Sequence, residues 1–415
     1  MKAEWIGKTQ EKNNKTGFRS KTTQILIILA VLNLLNQVDR RALVTIFPVL
    51  QAQWVLSDSQ LGMVVSFFTF ARALVSLPAA WLADQKGLLR VLRPLVFFWA
   101  IGVALSGLVS RFSGFVFLRF LVGVGDGANG PVDQAYLGKL VPEHKRGTAL
   151  AVYSLALYIG SAVGVTFAGF TAERFGWRWV LIIPGLLGLI TAVLLSVLSK
   201  QDGSSQTEGQ KNVIDYPRLA EFSYLLQSPL PVIFISAGFG VFASTALVSW
   251  LPTYFVRFFD FNLTQAGLIT GGLILTGSVG GTLTGGLLGD RFIKKNNSVQ
   301  LEVAGWGLIL AGLFGCLGLW VPSVMGTLIC FFLAGFCITL PVSPLIVKVQ
   351  SLVPDSFQAS SLAVFGLFTQ VLGAAPATFV VGLLSDWGGL PFALGFSFIA
   401  GGLGGAFLLL KTDKS

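Results

Sequence analysis

The stretch VPEHKRGTALAVYSL, Val141–Leu155, returns 212 residues later as VPDSFQASSLAVFGL, Val353–Leu367. Both copies open on Val-Pro and an acidic residue, and both end on Leu-Ala-Val, an aromatic ring and, two places on, a leucine. A second pair, AAWLADQK from Ala79 and GGLLGDRF from Gly285, sets Asp84 against Asp290 at an offset of 206. Two markers in the same order at nearly the same spacing make the chain an internal duplication of a unit of roughly 200 residues.

Around these markers the chain is 53% hydrophobic and only 12% charged, which excludes a soluble globular protein. A membrane span needs about 20 mostly apolar residues. That template predicts twelve helices, at 22–50, 60–83, 91–110, 113–139, 147–172, 178–198, 229–257, 264–289, 299–320, 323–349, 359–383 and 390–410. The fold class is therefore an all-α integral membrane protein with twelve transmembrane helices in two six-helix repeats. Residues 1–21 form a tail, 22–198 the first bundle, 199–228 a polar linker, 229–410 the second bundle and 411–415 a short tail. The first span lacks a small-residue cleavage site behind it, so no removable signal peptide is read.

The basic residues fall unevenly. With the N-terminal tail in the cytoplasm, 21 Lys/Arg lie on that side and four on the other: Arg111, Arg174, Arg178 and Arg257. This asymmetry predicts cytoplasmic termini in a bacterial inner (plasma) membrane. It also accounts for the net charge of +10 through anionic lipid headgroups, without nucleic acid. Cys316, Cys330 and Cys337 all fall in spans and His144 in a charged loop, so no disulfide, metal or cofactor site is read.

The remaining four arginines, Arg40, Arg41, Arg72 and Arg119, lie inside spans, as do Asp39, Asp126 and Asp133. Ionisable groups cost at least ~2.5–3.5 kcal/mol each inside a span, so they mark a pathway or a packed interior. Arg119, Asp126 and Asp133 are spaced by seven on the fourth span, which keeps them on one stripe with Asn129. On the first span Asn36, Gln37 and Arg40 share a side, and Asp39 points about 100° away from Arg40. Asp39, Arg40, Arg119 and Asp126 are read as the proton-coupling and ion-pair set, and Asn36, Arg72, Asn129 and Asp133 as cavity residues. Two arrangements remain open: Asp39 neutralises Arg40, or the two hold apart for Arg119 and Asp126. Arg41 reads as structural or interfacial, and Arg72 has no acidic partner on its own helix. Asp84, Asp290 and Arg291 read as gate and packing residues at the cytoplasmic face.

Gly277, Gly281, Gly285 and Gly289 form a ladder of four-residue steps that suits close helix approach and rocking between the halves. GVGDG around Asp126 has no preceding strand and is not a dinucleotide fingerprint. Asn262-Leu-Thr264 is a glycosylation sequon, meaningful only in a eukaryote.

LADQKGLLR after the second span resembles the loop signature of the major facilitator superfamily, departing from it at Ala80, Gln85, Leu88 and Leu89. GLLGDR, Gly286–Arg291, repeats that signature with Gly286, Asp290 and Arg291 in place. RFLVGVGDGANGPV resembles the superfamily's fourth-helix motif, with Arg119 at its arginine. NQVDRRAL, ERFGWRW, WLPTYFVR and VGLLSD further resemble the Spinster-like branch, which exports lysolipids and sphingoid phosphates; Asp126 stands where that branch has glutamate. The sugar-acid branch shares the Asp-Arg pair, an acidic fourth helix and a GWR turn, and is the close rival.

The resemblance implies a secondary transporter working by alternating access, not an enzyme. Four intramembrane arginines against three aspartates leave one positive charge over, which predicts an anion, and an uncharged second half suits an apolar tail. A proton-coupled carrier of a lysophospholipid is the favoured reading. A symporter of a small organic anion such as a sugar acid, an uncoupled uniporter or scramblase, and a sensor in a transporter fold are the alternatives. The partners expected are lipid bilayer, substrate and protons, with the chain a monomer.

Overall fold

The computed structural model of the protein describes residues 2–127, 143–200, 224–292, 299–354 and 357–412, and every regular element among them is helical. The first half holds α1 (Lys2–Thr45), α2 (Phe47–Trp54), α3 (Asp58–Lys86), α4 (Leu88–Ser106), α5 (Phe112–Asp126), α6 (Glu143–Phe175) and α7 (Trp177–Lys200). The second half holds α8 (Leu230–Phe258), α9 (Leu263–Leu273), α10 (Val279–Phe292), α11 (Val299–Trp320), α12 (Val324–Thr339), α13 (Val342–Ser351), α14 (Gln358–Thr369), α15 (Ala375–Gly388) and α16 (Leu390–Thr412). Nine stretches of the described residues are long and apolar enough to cross a membrane. The expected spans 22–50, 113–139 and 147–172 correspond to α1, α5 and α6. Asp39, Arg40 and Arg41 interrupt the apolar run of α1, and α5 is described only to its end at Asp126. The expected linker, 199–228, lies mostly outside the described residues.

The first expected span ends early, at Thr45, and α2 begins after Ile46 with Pro48 in its first turn. A proline there has no N–H and crowds the carbonyl four residues back, which weakens the helix at this point, although Pro78, Pro94, Pro184 and Pro252 sit inside unbroken helices. The span expected at 323–349 is likewise broken at Leu340–Pro341 into α12 and α13. Two further spans contain a π turn, Ile274–Ser278 between α9 and α10 and Gln370–Ala374 between α14 and α15.

The π turns explain a detail of the duplication. Ser57 and Asn262 are the N-caps of α3 and α9, each with a capping box to a glutamine three residues on (Gln60, Gln265), and they are 205 residues apart. Past the first π turn, the matched Asp84 and Asp290 are 206 apart; the offset of 212 at the Val-Pro markers becomes 213 at Glu173 and Asp386. A π turn holds one residue more than the α-helical turn it replaces. Each second-half helix thus carries a single inserted residue that its first-half counterpart lacks, since α3 and α6 run without a π turn.

In the first half α1 packs on α6 and α7, α4 on α7, and α5 on α3 and α4; in the second, α16 packs on α8 and α11, and α11 on α12. The halves meet chiefly through α3 with α15 and α6 with α9. Lipid supplies no hydrophobic drive between helices, so close backbone approach at small residues carries such contacts. The ladder glycines serve a different contact from the one expected. A Cβ on Gly281 would sit 2.1 Å from the Phe336 carbonyl oxygen, and one on Gly285 2.1 Å from that of Leu340, so the ladder packs α10 against α12 and the chain just after it, inside the second half. The glycines between the halves are others: Gly62 and Gly382 at the α3–α15 crossing, Gly169 and Gly267 at the α6–α9 crossing.

Candidate functional site

A cavity of about 310 Å³ lies between the halves. Its first-half wall comes from Gln37, Asp39, Arg40 and Arg41 of α1, Phe68, Thr69 and Arg72 of α3, and Arg119 of α5. Its second-half wall comes from Val241, Thr245 and Ser249 of α8, Thr369 at the end of α14, and Gln370 and Ala374 of the second π turn. The π turn therefore faces the cavity, a frequent position for such insertions.

The charges are paired across helices. Arg119 Nη1 donates to Asp39 Oδ1 at 2.8 Å, with both side chains 1% exposed. Asp126, fully buried at the end of α5, accepts from Arg40 Nη2 and lies 3.0 Å from Arg72 Nε. Of the two arrangements open in the sequence, the structure has the second: Asp39 and Arg40 turn away from each other to separate partners on α5. The 100° step between adjacent helical residues places them there, and the seven-residue spacing of Arg119 and Asp126 sets their partners two turns apart. Arg72 finds its acid on α5 instead of α3, a contact invisible to intrahelical spacing. Arg40 also lies over the Phe68 ring and Arg119 over the Phe115 ring, at 5.6 and 5.4 Å from the ring centroids.

The pairing leaves valences open. Asp39 Oδ2, Arg119 Nε and Arg119 Nη2 are buried and have no hydrogen-bond partner among the described residues. A buried ion pair with unfilled valences is costly as architecture, and such groups suit a visiting polar ligand or water.

Arg41, read from sequence as structural or interfacial, lines the cavity, and among the described residues it forms no ion pair. Asn36 is buried but does not line the cavity; Gln37 beside it does. Asn129 and Asp133 lie outside the described residues, as do the side chains of Asp84 and Asp290. Arg291 is exposed in the last turn of α10. Sequence reasoning missed the second-half wall, Thr245, Ser249, Thr369 and Gln370, because hydroxyls and amides inside apolar runs resemble ordinary helix-packing residues.

A second pocket of about 160 Å³ adjoins the cavity and shares Val241 and Thr369 with it. Its wall is mostly apolar, from Ala237, Leu308, Ile338, Leu345 and Phe365.

The face opposite the N-terminal end of α1, here the distal face, closes over the cavity. Arg257 at the end of α8 donates to Asp58 Oδ2 at 2.7 Å and to Gln51 Oε1 at 2.7 Å, and Ser385 also donates to Asp58. Trp250 Nε1 donates to the Thr378 carbonyl at 3.3 Å below this network, and the Trp250 ring packs edge-on against Phe47 of the first half.

Residues 29–378 match the family model of the Major Facilitator Superfamily. A probable sulfoacetate transporter of Cupriavidus necator is 26% identical over 319 residues, covering 72% of either chain. A probable galactarate/D-glucarate transporter of Escherichia coli K12 is 25% identical over 305 residues, 67% of this chain and 68% of its own. Protein spinster homolog 1 of Xenopus tropicalis is 24% identical over 420 residues, 93% of this chain and 79% of its own. The crystal structure of a bacterial homolog of the human lysosomal transporter Spinster, inward-facing and unoccupied, superposes with a TM-score of 0.85 at 17% identity, covering 95% of this chain and 97% of that one. The fold is thus the superfamily's, which has twelve spans.

Proposed function

The chain belongs to the Major Facilitator Superfamily, and on that premise we propose that it is a secondary transporter carrying an organic anion by alternating access, with both termini cytoplasmic. The observation that carries the reading is the cavity's charge. Four guanidiniums, Arg40, Arg41, Arg72 and Arg119, stand against two carboxylates, Asp39 and Asp126, among the described residues. Among the described residues the guanidiniums thus outnumber the carboxylates in a low-dielectric site, and Arg41 forms no ion pair there, so an anion relieves the excess. The hydroxyl and amide groups of the opposite wall suit a small hydroxylated acid of the sugar-acid class.

Asp126 is the proposed proton site. It holds Arg40 and Arg72 while ionised; when it takes a proton, both guanidiniums are released towards an incoming carboxylate, phosphate or sulfonate. Proton and anion then enter together, which makes the carrier a symporter. Proteoliposomes test this: uptake of glucarate driven by an inward proton gradient is expected, and uptake unchanged by the gradient contradicts coupling.

A second reading is favoured by the adjoining apolar pocket, which suits the alkyl chain of an amphipathic anion such as a lysophospholipid. Ser244→Phe places a ring in that pocket. Loss of lysophospholipid binding with glucarate binding retained supports the amphipathic reading; no lysophospholipid binding in either protein rejects it.

A further inference from the structure

We propose that the distal face is held shut by a two-fold latch, in which a carboxylate near the end of α6 or α15 caps the N-terminus of a helix in the opposite half. Asp386 of α15 accepts from the backbone N–H of Asp58 at 2.8 Å and of Ser59 at 3.0 Å, the first residues of α3. Glu173 of α6 accepts from the backbone N–H of Thr264 at 3.2 Å and from its hydroxyl, in the first turn of α9. The two contacts are counterparts under the duplication: Glu173 and Asp386 are 213 apart, and Ser59 and Thr264 are 205 apart.

The chemistry of the helix ends makes these contacts specific. The capping boxes of α3 and α9 occupy the donors at Gln60 and Gln265, through Ser57 and Asn262, and the N–H groups of the two caps themselves, through the glutamine side chains. The N–H groups earlier in each first turn have no partner within their own helix, and they carry the positive end of the helix dipole. In both helices the missing acceptor comes from the other half of the molecule. A cap drawn from the same half would stabilise the helix in every state; a cap drawn from the opposite half exists only while the distal ends are together, so it weights one conformation against the other.

Beneath each carboxylate the helices touch at glycine. A Cβ on Gly382 would stand 2.4 Å from the Asp58 carbonyl oxygen, and one on Gly169 2.2 Å from that of Leu263. These glycines are also 213 apart. The seam and the caps therefore form and part together when the halves rock. Neither Glu173 nor Asp386 lines the cavity, so the latch acts on conformation and its test does not depend on the identity of the anion.

Distances between spin labels at Ser110 and Met325, exposed at the distal ends of opposite halves, read the latch directly in a background with Cys316, Cys330 and Cys337 replaced by alanine. The double variant E173Q/D386N is expected to add a longer-distance population that is smaller in either single variant. D386E is expected to restore the wild-type distribution, and D260N, which neutralises a neighbouring carboxylate outside the latch, to leave it unchanged. A label pair within the second half, at Met325 and Phe392, is expected to keep one distance throughout. An unchanged Ser110–Met325 distribution in the double variant overturns the proposal, as does an equal shift in D260N. A change in the Met325–Phe392 distance also overturns it, because a latch releases the halves without deforming them.

Discussion

Arg119 reaches from α5 to Asp39 on α1 at 2.8 Å, while Arg40, the covalent neighbour of Asp39, pairs with Asp126 two turns further along α5. The adjacent opposite charges do not cancel; each is committed to a different level of the same helix. Removing one partner of a buried pair leaves a bare charge and costs ~3–5 kcal/mol. Asp39→Asn and Arg119→Gln are therefore each expected to lower the unfolding temperature in detergent clearly. The double variant is expected to be less destabilised than the sum of the two, which a double-mutant cycle measures.

Asp126→Asn removes the carboxylate that Arg40 and Arg72 share. Accumulation of substrate against its gradient is expected to vanish, while exchange of labelled for unlabelled substrate across the membrane persists. Flux assays in proteoliposomes with and without a proton gradient separate the two.

The Asp386 carboxyl gives the latch a pH range. Partial desolvation raises its pKa, but hydrogen bonds from Ser59, Asp58 and Ser57 outweigh this and hold it below the ordinary 3.8. A carboxylate with a lowered folded pKa contributes its stabilisation above the ordinary value and loses it as pH falls through the lowered one. The contact of Asp386 with the start of α3 is thus expected to hold from neutral pH down to the ordinary 3.8 and to weaken only below it. Hydrogen exchange at the Asp58 and Ser59 amides checks this; faster exchange near neutral pH on mild acidification would contradict it.

At the seam, a side chain on Gly62 would begin 2.3 Å from the Thr378 carbonyl oxygen. Overpacking of this kind costs ~1–3 kcal/mol, and here the cost falls on the distally closed state. Gly62→Leu is expected to slow transport several-fold and to lengthen the Ser110–Met325 distance. Gly272→Ala, at a position with open space around it, is expected to do neither.

Much of this architecture is legible in the sequence because membrane spans follow from length and hydropathy, and the duplication follows from Val141–Leu155 and its echo. The breaks near Pro48 and Pro341 are not told by proline alone, since both spans read as continuous and Pro78, Pro94, Pro184 and Pro252 sit inside unbroken helices. The π turns are not legible either: nothing in the composition of Ile274–Ser278 or Gln370–Ala374 announces an extra residue, and only the shift in offset along the repeats betrays it. In the site, the intramembrane charges stand out against apolar neighbours, yet their pairing depends on helix packing, so Arg72 appears partnerless and Arg41 structural. Glu173 and Asp386 sit in ERFGWRW and VGLLSD, where their role is hidden because it lies in a helix N-terminus of the other half.

Arg41 tests the central claim, since it lines the cavity and forms no ion pair among the described residues. Calorimetric titration of glucarate and of a lysophospholipid into the purified protein, wild type and Arg41→Gln, is the direct measurement. A charge-assisted hydrogen bond contributes ~1.5–3 kcal/mol, so at least one of these anions is expected to bind the wild type, and the variant about tenfold or more weaker, with its unfolding temperature little changed. Equal affinity in both proteins, or equally tight binding of an uncharged analogue such as glucose or a monoacylglycerol, would contradict an anion site in the four-arginine cavity.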